Sequence, residues 1–274
     1  MEMDLSNLAV LAAILLAAGA AGGLAAGLLG VGGGIVIVPV LFHLFTTMGL
    51  DEAVRMHVAV GTSLATIIAT SVSSTRSHWR KGAVDMDLLK QWGPFILVGV
   101  IMGTSIAGYV RGPALTGVFA VVASFVALHM AFGKKDWHIA ESLPKNPLKA
   151  LIGMVIGGFS AMMGIGGGTL SVPILTLFRF PIHRAVGTAA AIGFIIAIPG
   201  AIGFVLTGWN VDGRPPFSLG YINLLGVALI LPTSMVMAPI GAKLAHSLNT
   251  QGLRRAFAGF LALTAARMFY SILT

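Results

Sequence analysis

The chain alternates long apolar runs with short polar interruptions, and the runs have the length of membrane spans. Leu8–Leu29 and Ala185–Leu206 each suffice to cross a bilayer, which needs about 20 apolar residues. The pattern predicts five membrane elements in each half. They are roughly 6–29, 33–47, 54–75, 87–110 and 113–132, then 147–164, 167–179, 184–207, 218–245 and 251–272. A polar stretch, Gly133–Pro147, holds Lys134, Lys135, Asp136, Glu141 and Lys145 and reads as a loop. The expected organisation is a first transmembrane repeat at 1–132, a cytoplasmic linker at 133–146 and a second repeat at 147–274. The acidic start Met1-Glu2-Met3-Asp4 predicts a retained first helix, because a cleavable signal opens with basic residues.

Composition sharpens this to an all-α polytopic membrane protein. The sequence is 57% hydrophobic and 9% charged, with a mean hydropathy of +0.94, against roughly 25% charged residues in a soluble domain. The net charge of +8 does not point to nucleic acid, because Lys and Arg sit in short loops where they set topology. Cysteine is absent, which excludes disulfides, thiolate metal sites and a Cys nucleophile.

A glycine phrase occurs twice inside apolar sequence. Gly30-Val31-Gly32-Gly33-Gly34 leads to Val38-Pro39, and Gly164-Ile165-Gly166-Gly167-Gly168 leads to Val172-Pro173 at the same spacing. His57-Val58-Ala59-Val60-Gly61-Thr62 matches His183-Arg184-Ala185-Val186-Gly187-Thr188, and Pro94, Gly103, Leu115 and Phe119 match Pro232, Gly241, Leu253 and Phe257. The offsets are 134, 126 and 138, so length changes fall in the connections. Three phrases in one order predict two homologous halves.

The second element decides whether the halves are parallel or inverted. If 33–47 re-enters the side it left, each half has four crossings and the halves are parallel. If it emerges opposite, each has five and they are inverted. In the inverted arrangement the cytoplasmic loops collect Arg76, Arg80, Lys81, Lys90, Lys134, Lys135, Lys145, Lys149, Arg179, Arg184, Lys243, Arg254 and Arg255. Arg55, Arg111 and Arg214 stay outside. The parallel arrangement splits the cations nearly evenly, so the positive-inside rule favours inversion, with Gly-broken short helices meeting near the bilayer midplane.

In hydrocarbon, a broken helix leaves backbone groups unpaired unless it is buried in protein or lines a cavity. A helix starting after the break presents free N–H groups and about half a positive charge, which bind anions without a buried Arg. The expected substrate contacts are therefore Gly32, Gly33 and Gly34 before one short helix, and Gly166, Gly167, Gly168 and Thr169 entering the other. The hydroxyls of Thr62, Ser63 and Thr188 are candidate donors. His57 and His183 are candidates for proton coupling, against a capping or interfacial reading. Pro39 and Pro173 are candidates for gating, since each can kink its helix or fix its start. Ser71, Ser73, Ser74 and Thr75 read as the polar end of a helix, and Arg76, Arg80 and Lys81 as topology determinants. The rival reading of the triple glycines is tight helix packing. No Asp or Glu falls mid-span, and no enzyme signature is found.

On these residues the chain resembles the sulfite exporter TauE/SafE family, sulfonate-uptake permease-like membrane transporters. The carrying phrases are Gly30–Leu41, His57–Ser63, His78-Trp79-Arg80-Lys81-Gly82-Ala83-Val84-Asp85, Gly164–Leu175, His183–Thr188, Leu253–Phe257 and Arg267-Met268. The resemblance implies a secondary transporter, an exporter of small sulfur-containing anions such as sulfite or organosulfonates, in a prokaryotic cytoplasmic membrane. Expected partners are a small anionic substrate and membrane lipid, with a homodimer allowed for and no nucleic acid. No enzyme activity, cofactor or resident metal is expected. The rivals are a carrier of another anion or a metal ion, and a structural membrane protein that does not transport.

Overall fold

In a computed structural model, residues 5–132, 138–245 and 250–273 are described. They form ten helices: α1 Leu5–Leu29, α2 Gly34–Thr47, α3 Glu52–Trp79, α4 Met86–Tyr109, α5 Gly112–Phe132, α6 Leu148–Met163, α7 Gly168–Leu177, α8 Ile182–Thr207, α9 Leu224–Leu244 and α10 Thr250–Leu273. Lys134, Lys135 and the rest of 133–137 lie outside the described residues, as do the side chains of Leu253–Phe257. Among the described residues, six helices are long and apolar enough to cross a membrane: α3, α4, α5, α8, α9 and residues Ala9–Leu29 of α1. Their outward faces carry large apolar side chains, such as Phe125 on α5, Ile101 on α4 and Leu206 on α8. Water would penalise such a surface and hydrocarbon does not.

Local chemistry sets most helix ends. Asp51 caps α3 by accepting from the Ala53 amide at 2.9 Å, Asp85 caps α4 through Leu88 at 2.9 Å, and Asn223 caps α9 through Gly226 at 2.8 Å. The expected element at 218–245 is shortened by this last cap. Residues 218–223 instead form a two-stranded ribbon, β1 Ser218–Leu219 against β2 Ile222–Asn223. Apolarity alone could not separate ribbon from helix there. Gly164 ends α6 in the left-handed conformation at φ 64°, which favours a residue without a Cβ.

Small residues fix how the helices meet. On α1, Gly19 faces Ile230 and Thr233, Gly23 faces Ser234, and Gly27 faces Ala238 and Gly241 of α9. The numbers rise together, so the two helices run side by side in one direction. Thr62, Thr70 and Lys81 meet Asn223, Ser234 and Ala242, which sets α3 parallel to α9. Gly99 and Gly103 of α4 lie on Met154 and Gly158 of α6, again in rising order. Thr104 beside Gly203 and Gly108 beside Thr207 align α4 with α8. Between α3 and α8 the order reverses, with Gly61 on Phe204, Leu64 on Gly200 and Ser71 on Gly193. Thus α1, α3 and α9 run one way, and α4, α6 and α8 the other.

The two short helices turn back from the interior. At about 21 Å and 15 Å, α2 and α7 are each too short for a hydrocarbon core of about 30 Å. Gly34 starts α2 beside Ser63, and the chain leaves α2 beside Arg55, which donates to the Leu50 carbonyl. The far end of α7 returns to the segment before α6, where the Ile139 amide donates to the Leu177 carbonyl at 2.8 Å. Arg76, Arg80, Lys81, Lys90, Lys149, Arg184 and Lys243 gather at that end of the bundle and make it the basic end.

Candidate functional site

Both glycine phrases reach the middle of the bundle and interlock there. The Gly166 amide donates to the Val31 carbonyl at 3.0 Å, joining one phrase to the other. The Cα atoms of Gly32 and Gly166 face each other so closely that a Cβ on Gly32 would stand 2.8 Å from Gly166 Cα. A Cβ on Gly34 would meet the Gly164 carbonyl, and one on Gly168 the Gly30 carbonyl. Ser63 Oγ donates to the Gly164 carbonyl at 2.7 Å and ties α3 to the junction.

The helix starts leave donors open. At α2, the Gly33 carbonyl accepts from Val36 and Ile37, while the amides of Gly34 and Ile35 have no backbone acceptor among the described residues. At α7, the Gly167 carbonyl accepts from the Ser171 amide and hydroxyl at 2.8 and 2.6 Å. The amides of Gly168, Thr169 and Leu170 have no backbone acceptor among the described residues. Thr169 is 2% exposed, and its hydroxyl has no partner among the described residues. Two helix N-termini from opposite halves therefore open at one buried place, each with partial positive charge. The fit is tight, with backbone against backbone where the phrases meet.

The structure brings together Gly32, Gly33, Gly34, Ser63, Gly166, Gly167, Gly168 and Thr169. It places the other candidates elsewhere. Thr62 Oγ1 accepts from the Asn223 amide at 2.9 Å, and Thr188 Oγ1 accepts from the Asp85 amide at 2.9 Å. Each threonine thus holds the capping residue of a helix in the opposite half. His57 Nε2 lies 2.9 Å from the Ala107 carbonyl and 3.1 Å from that of Val110 at the end of α4. Its ring stacks on Tyr221 at 4.8 Å. Burial pushes the Tyr221 phenol above its ordinary range, with the Arg214 charge pulling the other way. His183, the repeat counterpart of His57, is exposed at the start of α8. Pro39 and Pro173 sit inside α2 and α7, which continue through them.

Sequence reasoning missed the threonine anchors, although a signal existed. Asp85 and Asn223 are themselves repeat counterparts at the offset of 138. Asp85 also takes Arg184 at 2.6 Å, so the anchor at the basic end contains an ion pair and the one at the other end is neutral. The buried hydroxyls of α3 were missed as well. Thr70 is fully buried, and Ser71 and Ser74, expected at the polar end of the helix, are each only 1% exposed within it. Among the described residues, no group of three His, Asp or Glu side chains is gathered that could hold a metal ion.

The chain is similar to known membrane transporters. The sequence model of the sulfite exporter TauE/SafE family matches residues 15–268. A protein of Haemophilus influenzae described as a "Probable membrane transporter protein" is 36% identical over 253 residues, covering 92% of this chain and 95% of its own. Proteins of the same description from Methanocaldococcus jannaschii and Bacillus subtilis are 26% and 28% identical, covering 85% and 87% of this chain and 85% and 90% of theirs. No solved structure matches. With its spans, its paired glycine phrases and a family match running almost end to end, the chain is a multi-pass membrane transporter, not an enzyme, and belongs to the TauE/SafE family.

Proposed function

We propose that the protein exports small sulfur-containing anions, sulfite or organosulfonates, by alternating access around the glycine junction. The observation that carries this reading is the common origin of α2 and α7. Both begin at one buried point with unbonded amides, and a pyramidal or tetrahedral oxyanion accepts hydrogen bonds from such donors. The family description names sulfite export, and the chain supplies donors rather than carboxylates at mid-depth.

The halves 1–132 and 147–274, joined by the linker 133–146, act as inverted repeats. In support, α1 and α3 run against their counterparts α6 and α8, and α2 leaves the junction toward the start of α3. The basic end faces the cytoplasm by the positive-inside rule. The threonine anchors then lie on opposite sides of the membrane, Thr188–Asp85 inside and Thr62–Asn223 outside. Rocking the halves would loosen one anchor while the other holds. An anion leaving a cell that is negative inside gains about 2.3 kcal/mol per charge at 100 mV, so no coupling ion is required.

The direct contact of the two phrases favours a second reading, in which the glycines serve packing alone. Flux separates the two. Purified protein in vesicles loaded with sulfite is expected to show flux driven by membrane potential. Gly34→Ala and Gly168→Ala are expected to lose it while still eluting as folded protein. Absence of flux and of ligand stabilisation with sulfite, sulfoacetate, thiosulfate and sulfate would overturn the sulfur-anion reading.

A further inference from the structure

The segment between α8 and α9, at the end opposite the basic end, holds a pocket of about 250 Å³ whose wall is mostly polar. Val211, Asp212, Arg214, Pro215, Phe217 and Ser218 line it. Cations are scarce at this end, and Arg214 is half-buried there. Its Nε donates to the Val211 carbonyl, and its Nη1 to the Gly220 carbonyl at 3.4 Å. The two carbonyls fix the guanidinium and leave Nη2 without an acceptor among the described residues. Among those residues, ion pairs join Arg179 to Glu141 and Arg184 to Asp85, and no carboxylate pairs with Arg214. The pocket wall is held as firmly as the guanidinium. Phe217 takes φ 60°, a left-handed conformation unfavourable for a residue with a Cβ. The Leu224 amide donates to the Phe217 carbonyl at 2.9 Å, and Asn223 Nδ2 to the Pro216 carbonyl at 3.0 Å. Asn223 is also the residue whose amide donates to Thr62 Oγ1.

We infer that this pocket is an oxyanion site separate from the glycine junction, with Arg214 as its charged donor and Asn223 carrying its occupancy to the Thr62 anchor. The lining selects the ligand. A cation would face a guanidinium that no carboxylate neutralises. An apolar molecule would cover Nη2 without giving it an acceptor, which is costly. A planar fork of N–H donors, already oriented, matches the oxygens of a sulfonate or carboxylate. Asp212 sets the charge. It is exposed, makes no hydrogen bond among the described residues, and adds one negative charge to the pocket. The site therefore suits a singly charged oxyanion better than a doubly charged one. The coupling follows from one side chain, since Asn223 holds the Pro216 carbonyl, caps α9 through Gly226 and hangs from Thr62. An anion that braces the pocket wall braces that anchor too. The site stands without the transport reading above, and only its effect on flux rests on that reading.

Trp209, exposed and two residues before Val211, reports on the pocket. Purified protein in detergent is titrated with methanesulfonate, sulfate and bicarbonate at constant ionic strength. Tryptophan fluorescence is read, and Trp209→Phe assigns the signal. Methanesulfonate is expected to shift it saturably and to bind several-fold more tightly than sulfate. Bicarbonate in the same titration tells whether a sulfonate or an external inorganic anion is the tighter occupant. Arg214→Gln is expected to weaken binding about tenfold, the weight of one hydrogen bond to an ion. Because Arg214 also braces its own segment, Asp212→Asn is the second variant, and it is expected to tighten sulfate several-fold. In oriented vesicles, methanesulfonate on the pocket side is expected to slow sulfite flux. Asn223→Asp keeps an acceptor for the α9 cap and loses the donor to Pro216, so it should bind the anion without that slowing. No saturable response to any of the three anions, or an undiminished one in Arg214→Gln, overturns the site. A response to calcium ion alone, lost in Asp212→Asn, overturns it in favour of a cation site. Binding that leaves flux untouched overturns the coupling to the anchor. Binding in a native protein that moves no sulfite overturns the transport reading and leaves the site standing.

Discussion

At the residue scale, the junction depends on atoms that are missing. Gly34 has no room for a Cβ because the Gly164 carbonyl and Ser63 Oγ occupy the place. Gly34→Ala should therefore cost about 1–3 kcal/mol through overpacking, read as a lower midpoint in thermal unfolding in detergent. Ser63→Ala leaves the Gly164 carbonyl without its 2.7 Å partner, a penalty of about 1–3 kcal/mol for a buried acceptor. Ser63→Thr, which keeps the hydroxyl, should recover part of it. A drop for Gly34→Ala with none for Ser63→Ala would mean that sterics alone hold the junction. The glycines were legible because two copies at matched spacing stand out in apolar sequence. The threonine partners were not. A hydroxyl does not announce what it bonds, and Thr62 and Thr188 bond backbone more than a hundred positions away.

At the element scale, helix ends carry the information. The apolar runs located all ten helices, and caps such as Asp51 and Asp85 fixed where two of them begin. The start of α9 was obscured because the ribbon at 218–223 contains Leu219, Tyr221 and Ile222, as apolar as the helix that follows. The length of α3 was underestimated because its last turns hold serines and threonines, which the packing buries. The two anchors make an asymmetric prediction. Thr188→Val removes the acceptor of the Asp85 amide beside an ion pair with Arg184, and Thr62→Val removes that of the neutral Asn223. Under alternating access, Thr188→Val should shift the resting population toward openness at the basic end. Faster modification of Thr75→Cys from that face would report it, and Thr62→Val should slow the same reaction. High salt should mimic Thr188→Val in part, since the Arg184 side chain is half exposed and screened. Equal behaviour of the two variants would dismiss the anchors as gates.

At the scale of the whole molecule, direction matters more than composition. Lys and Arg placement favoured inversion. Which helices become partners was not legible, because the Gly19, Gly23 and Gly27 stripe on α1 does not say which helix it will meet. The arrangement predicts both termini on the face opposite the basic end. Tags on either terminus, together with Tyr109→Cys, should be reached from one face, and Trp79→Cys from the other. Termini reached from different faces would exclude the inverted arrangement.

The pairing of α1 with α9 also bears on biosynthesis. Helices emerge from the ribosome in order, yet the glycine stripe of α1 finds its partner only after some two hundred further residues have been made. α4 likewise waits for α6 and α8. The first half must therefore reside in the bilayer as a loosely associated set of spans until the second half arrives, because long-range contacts form late. Residues 1–137 synthesised alone should be unstable and quickly degraded. Co-expression with residues 138–274 should rescue both, since the surfaces each half lacks are carried by the other.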